Sequence, residues 1–260
     1  MPSGIKLLVR ADDLGSSHAA NLACMKAVRK GIARSVEIMA PCAWFPEAIT
    51  LLKDLPEDRD VGVHLTLTSE WPNVKWRPLT SCQSLVDSQG FFLPRIWPRY
   101  DDDLCLRNRG WNLDEVETEF RAQIEVCLAN IAQITHLSYH MGCDNADPKI
   151  NSLCKRLGDE YGLASDPFVA GYKSVPRKGK SKGNDVTTEI LDALASLPPG
   201  KWILINHPSL DVQEMRGICN AEGRDVARER QLFTDACCSP AIQQLVRNRN
   251  IQLISYSAID

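Results

Sequence analysis

Residues Leu7 to Gly15 read LLVRADDLG. A short apolar run ends in two adjacent carboxylates and a glycine turns the backbone. This is the pattern of a parallel-sheet strand whose carboxyl end carries Asp12 and Asp13 into the crevice where α/β folds place their chemistry. The following segments keep that rhythm. His18 to Lys30 places apolar residues at Ala19, Leu22, Ala23, Met25, Ala27 and Val28 with Gly31 behind, predicting a helix with a glycine C-cap. Ser35 to Ala40 (SVEIMA) predicts a second strand, Phe45 to Leu55 a helix stopped by Pro56, and Asp60 to Thr68 (DVGVHLTLT) a third strand carrying His64.

The stretch from Ser69 to Asn112 breaks the rhythm, with Pro72, Pro78, Pro94 and Pro98 and four of the six tryptophans, Trp71, Trp76, Trp97 and Trp111. A connection this long inside a domain is usually a functional lid or a disordered insertion, and its tryptophans favour an ordered lid. Leu113 to Ile134 is helical by the spacing of Val116, Phe120, Ile124, Cys127, Leu128 and Ile131, with Asn112 and Glu115 placed to form a capping box. Strands are expected at Thr135 to His140, from Leu163 to Ser165, at Lys201 to Asn206 and at Ile251 to Tyr256. Helices are expected at Pro148 to Tyr161, Val186 to Leu197, Glu222 to Cys237 and Ser239 to Arg247. The basic stretch Val175 to Asp185 reads as a mobile loop. Its GKS is not a phosphate-binding loop, because Ser174 stands where the first glycine is required.

About seven strands alternating with helices predict a single-domain α/β fold over residues 1–260, an irregular (β/α) barrel of parallel strands with the tryptophan-rich insertion at 69–112. No GxGxxG follows the first strand, which disfavours a dinucleotide-binding sheet. A net charge of −3 offers no electrostatic reason for a nucleic acid or an anionic membrane as partner. The N-terminal residues lack the apolar core of a signal peptide, and a cytoplasmic location is expected. The ten cysteines include no CxxC pair, so most should be small buried hydrophobes rather than zinc ligands or disulfides.

Three of the five histidines share the placement of the two aspartates. His64 lies in its strand or near its end, His140 closes THLSYH, and His207 follows KWILIN. Parallel strands end on one rim, so these residues can converge although they are far apart in the chain. One carboxylate with two imidazoles forms a divalent-metal shell that keeps positions open for water and substrate. Asp13, His64 and His140 as ligands, Asp12 as general base and His207 as general acid would suffice to hydrolyse an amide or an ester. Adjacency does not decide which aspartate faces the ion. The alternative for the aspartates is helix capping, with Asp13 or Ser16 at the N-cap. His18, in the first turn of its helix, is the weakest candidate, His136 at the opposite rim is expected to be structural, and Cys143 is left out of the shell.

With these residues in view the chain resembles the YdjC-like carbohydrate deacetylase family. The likeness rests on ADDLG followed by Asn21, on GVHLTLT, THLSYHMG and INHPSL, and on Arg228-Glu229 with Leu232. The resemblance implies a distorted (β/α) barrel and hydrolytic removal of acetyl groups from N-acetylated sugars or oligosaccharides, with one divalent ion, Mg2+ or Zn2+. The family's metal ligands fall on Asp13, His64 and His140, its first aspartate on Asp12 as base, and its late histidine on His207 as acid. Arg228, from its motif, joins Trp71 and Trp76 as the substrate-binding expectation, the tryptophans stacking on sugar faces. The insertion could equally pack a satellite core of its own or serve as a subunit interface, which leaves a homodimer open. Where the family pattern runs THLDSH this chain has Ser138 and Tyr139, and so lacks an acidic residue able to orient a ligand. Two rival functions use the same residues: a metal-dependent phosphoesterase or sugar isomerase, and a non-catalytic carbohydrate-binding protein.

Overall fold

β1 (Ile5–Leu14) is the axis of a seven-stranded, wholly parallel sheet with β2 (Ser35–Ile38), β3 (Asp60–Leu65), β4 (Ile134–Tyr139), β5 (Lys173–Ser174), β6 (Gly200–Asn206) and β7 (Gln252–Ile254). The computed structural model describes residues 4–99, 104–164, 167–177, 185–218 and 224–259. The order is β4-β3-β2-β1-β6-β5. β6 pairs with β1 along Ile5 to Ala11, so β2 and β7 must share its other edge, β7 against Lys6 to Leu8 and β2 against Arg10 to Leu14. The helices are α1 (His18–Lys30), α2 (Phe45–Leu52), α3 (Leu113–Asn130), α4 (Pro148–Tyr161), α5 (Val186–Ser196), α6 (Gln213–Arg216), α7 (Val226–Cys237) and α8 (Pro240–Asn248). The result is one α/β domain whose curled parallel sheet forms a half-barrel, open where a complete barrel would close. Among the described residues no helix is long and apolar enough to cross a membrane.

Alternation along the strands gives the sheet two unlike faces. Leu7, Val9, Ala11, Val36, Ile38, Val61, Val63, Leu65 and Leu137 join the main apolar cluster with the helices. On the concave side a small cluster of Leu8, Tyr172, Ile203, Ile254 and Tyr256 fills the bottom. Above it, Arg10, Asp12, Ser35, Glu37, Asp60, His64, His136 and Ser138 are all buried. The barrel's upper interior is therefore a polar network enclosed by apolar walls.

The start of α1 decides between capping and chemistry for the aspartates. Ser17 is the N-cap, its side chain accepting from the Ala20 N–H, and Glu214 on α6 accepts from the N–H groups of His18 and Ala19. Neither Asp13 nor Ser16 is the cap. The strand expected from Leu163 is reduced to a single bridge from Ala164 to His136, residues 165 and 166 lie outside the described residues, and the strand pairing with β6 is Lys173–Ser174. α7 begins at Val226 with Asp225 as its cap, later than periodicity placed it. Of the basic loop at 175–185, residues 178–184, with its GKS, lie outside the described residues.

The insertion carries two single-turn 3-10 helices, Gln83–Leu85 and Leu106–Asn108, with residues 100–103 outside the described residues. Trp71, Trp76, Leu85, Phe92, Leu93 and Ile96 belong to the main cluster, so its apolar side chains extend that core rather than forming a separate one. α3 pins it. Glu119 accepts from the N–H groups of Leu79 and Thr80 and from Thr80 Oγ1, while Glu115 accepts from Ser84 N and Oγ. Asn112 does cap α3, through the Asp114 N–H, but Glu115 turns to the insertion instead of closing the capping box. Irregular backbone needs such acceptors, since buried N–H groups without partners are costly. Of the described cysteines all but Cys238 are buried free thiols.

Candidate metal centre and active site

Asp12 and Asp13 would face opposite sides of a regular strand. They do not here, because Asp13 adopts a left-handed backbone, φ 71°, and the pairing of β1 with β2 shifts register between Ala11 and Leu14. Such a conformation is uncommon for a residue other than glycine and requires local support. Ser16 supplies it, donating from N and Oγ to the Asp13 carbonyl at 3.2 and 2.7 Å, and Gly15 N donates to Asn21 Oδ1 at 2.6 Å. Asn21, the polar residue that follows ADDLG, thus holds the turn.

Asp13 Oδ1 faces His64 Nε2 at 3.6 Å and His140 Nδ1 at 3.4 Å. One ligand atom from each of Asp13, His64 and His140 lies within 4.8 Å of the others, and all three residues are buried. Ligands about 2.1 Å from a tetrahedral metal stand about 3.4 Å apart, so the two separations from Asp13 Oδ1 match the edges of such a coordination sphere. Asp13 Oδ1 is also a buried oxygen that accepts no hydrogen bond of proper geometry, the atom a cation would satisfy. The residues present fit a divalent metal. Asp13 Oδ2 accepts from Arg230 at 2.8 Å, and the Arg230 guanidinium lies 5.2 Å from the centre of the Trp71 ring. Burial alone would raise the Asp13 pKa, but Arg230, His140 and His207 outweigh it and hold the carboxylate well below its ordinary range.

The two imidazoles meet opposite fields. Burial lowers His64 to about 4 despite Asp12 and Asp13 nearby, so its ring is neutral and able to ligate. For His140 burial acts the same way, yet Glu70, 3.0 Å from Nε2, and Asp13 outweigh it and raise it to about 10. Glu70 follows the GVHLTLT strand and holds the His140 ring with Nδ1 toward Asp13. A bound cation would replace the proton of that Nδ1.

Asp12 lies beside this cluster, Oδ2 being 3.9 Å from His64 Nε2. Arg10 grips it with two bonds, Nε to Oδ1 at 3.0 Å and Nη2 to Oδ2 at 2.5 Å, and Arg10 Nη1 donates to Tyr256 Oη at 3.1 Å. Arg10 and Arg230 thus each pair with one aspartate of the site. His207 follows β6, whose Asn206 is in register with Ala11 of β1, and it is among the groups that hold the Asp13 pKa down. Trp71 and Trp76 come to the site as a buried wall, 2% and 5% exposed. They pack edge to face on each other, with Trp76 edge-on to His140. Arg228 is exposed in the first turn of α7, while Arg230, on another side of that helix, makes the contact to Asp13. His18 pairs with Glu47 at 2.7 Å and packs on Trp44, and His136 is buried against Glu37.

Glu37, Glu70 and Arg230 were not singled out by the sequence reading. Glu37 had a legible signal, a charge in the middle of a buried strand, SVEIMA. Arg230 and Glu70 had none, since their roles depend on helix rotation and loop path.

A family model described as YdjC-like protein matches residues 6–248. The chain belongs to the YdjC-like family. It is 30% identical over 238 residues to a carbohydrate deacetylase of Thermus thermophilus, covering 82% of this chain and 80% of that one. A carbohydrate deacetylase of Brevibacillus brevis is 28% identical over 271 residues, 98% of this chain and 100% of its own. Among solved structures, an Enterococcus faecalis protein named for cellobiose-phosphate cleavage shares the fold. It has a TM-score of 0.77 at 20% identity and covers 98% of this chain and 99% of that one.

Proposed function

We propose that this YdjC-like protein is a metal-dependent carbohydrate deacetylase that hydrolyses the acetamide of an N-acetylated sugar or oligosaccharide. The observation that carries the reading is the buried Asp13, His64 and His140 cluster with its unsatisfied Asp13 Oδ1, in a family whose relatives bear that name. These three residues would hold the ion. Two imidazoles and one carboxylate suit Zn2+ better than Mg2+, which prefers oxygen ligands and retains its waters. A bound divalent ion lowers the pKa of water and polarises the acetyl carbonyl.

The chain's own groups divide the remaining work. Asp12, held in place by Arg10, takes the proton of the attacking water as its oxygen bonds to the acetyl carbon. His207, at the end of the neighbouring strand β6, gives a proton to the nitrogen as the C–N bond breaks, releasing acetate and a free amine. Arg230 fixes Asp13, Trp71 and Trp76 exclude water from one side of the site, and Arg228 contacts the sugar at the rim. The expected result is acetate release from N-acetylglucosamine oligomers that stops on chelation and returns with added Zn2+. Full activity in the Asp13→Ala, His64→Ala double variant would refute the metal assignment. Phosphate release or aldose–ketose interconversion without acetate would refute the reaction class.

A further inference from the structure

Beneath the proposed metal ligands lies a further buried carboxylate. Glu37 on β2 is wholly buried, yet it accepts from three side chains: Ser35 Oγ at 2.8 Å, Ser138 Oγ at 2.5 Å and His136 Nε2 at 3.0 Å. Arg10 Nε stands 3.7 Å away, and Tyr256 stacks on His136 with ring centres 3.4 Å apart. His136 and Arg10 outweigh burial and hold Glu37 well below the ordinary carboxylate range, so it is ionised and can only accept. Room for this group is made by Gly62 of β3, where a Cβ would stand 2.0 Å from Glu37 Oε2 and 2.3 Å from His136 Nε2. Any side chain at Gly62 would displace the pair.

A hydroxyl has one proton to give. Ser138 gives its proton to Glu37, so its contact with His64 Nδ1, at 2.8 Å, must be one in which Nδ1–H donates to Ser138 Oγ. Ser138 thereby holds a proton on Nδ1, and Nε2, the atom facing Asp13 Oδ1, is the nitrogen left to offer its lone pair to a cation. We propose that Glu37, acting through Ser138, is a positioning residue that sets the tautomer and orientation of His64 for binding a divalent cation. His140 has its own support in Glu70, bonded to the ring directly. His64 receives the same service from a carboxylate one strand away, through a hydroxyl. Such outer partners typically contribute 10- to 100-fold to metal affinity.

The inference rests on the reading of Asp13, His64 and His140 as metal ligands. The experiment uses Zn2+ alone as probe and needs no turnover. Zinc affinity is measured by titration calorimetry for wild type, Ser138→Ala, Ser138→Thr and Glu37→Gln. Imidazole nitrogen NMR of the metal-free proteins reports which nitrogen of His64 bears the proton. Wild type should show Nδ1–H. Ser138→Ala should lose this preference together with about 10- to 100-fold in affinity, and Ser138→Thr, which keeps the hydroxyl, should stay within a few fold of wild type. An unchanged affinity in Ser138→Ala, or a loss with the Nδ1–H tautomer intact, overturns the relay. If Glu37→Gln fails to fold, Ser138→Ala still decides, since it removes no buried charge. Wild type that binds no zinc would defeat the metal reading itself, while the tautomer measurement would still test the relay.

Discussion

The two faces of the one sheet are held together by different physics. On the convex face Leu7, Val9, Val36, Val61 and Val63 meet the helices through apolar burial, which other well-packed hydrophobes could supply. On the concave face the same strands carry Arg10, Asp12, Glu37, His64, His136 and Ser138, groups whose removal from water costs free energy that only their mutual bonds offset. The difference teaches where tolerance lies. The convex face asks for volume and accepts substitution of kind, whereas the concave face asks for particular partners and collapses when one is withdrawn.

The largest effect expected follows from withdrawing Arg10. Its guanidinium serves Asp12, Tyr256 and the field at Glu37 at once, so Arg10→Met leaves two buried carboxylates short of a cation and should cost about 3–5 kcal/mol. Leu7→Ala on the opposite face should cost about 2–5 kcal/mol through its cavity, yet leave zinc affinity within about twofold, since nothing polar moves. Urea unfolding and calorimetry on both variants check the pair. If Leu7→Ala weakened zinc binding as much as Arg10→Met, the two faces would not be separable.

That contrast also explains what the sequence made readable. Strand ends can be recognised locally, so Asp12, Asp13, His64, His140 and His207 could be referred to one rim from the run of apolar residues before each. The outward contacts of that rim could not. The left-handed turn at Asp13, which brings both aspartates to one side, depends on a register shift against β2. Arg230 rather than Arg228 reaches Asp13 because of how α7 is rotated. The acid missing from position 138 is supplied from β2, a relation that exists only once β2, β3 and β4 are in register. Of the strand expected near Leu163 the described residues show the one bridge of Ala164 to β4, since short apolar runs do not say which neighbour they will pair with.

The insertion stands between the two faces in kind, apolar where it meets the core and acid-anchored where it meets α3. Glu119→Gln keeps one acceptor oxygen where two served Leu79, Thr80 and Gln123, and should cost about 1–3 kcal/mol. Burial outweighs these donors and raises the Glu119 pKa above its ordinary 4.5. The unfolded chain therefore ionises first, and the stability Glu119 contributes is fully present below the ordinary value and is lost as pH rises through the raised one. The stability gap between wild type and Glu119→Gln, followed by urea midpoints from acid to neutral pH, should narrow upward. A gap that widens with pH would show the donors prevailing over burial.

The smallest effect is expected where charges are most numerous and least buried. Arg121 and Arg156 tie Glu117 on α3 to Glu160 on α4, and their hydrogen bonds bring Glu117 down to about 2. Drawn as a network this looks as substantial as the one inside the barrel. Its members are in water, though, where screening and side-chain entropy consume most of what the pairs gain. Arg156→Gln should therefore shift the thermal midpoint only slightly, and the remaining shift should vanish in about 1 M salt, where charges are screened beyond roughly 3 Å. The destabilisation by Arg10→Met should persist at that salt, because Arg10, Asp12 and Glu37 are buried and their interaction is screened far less. Equal salt sensitivity of the two variants would mean that the buried network is screened like the surface one, and the distinction between enclosed and solvated charges would fail.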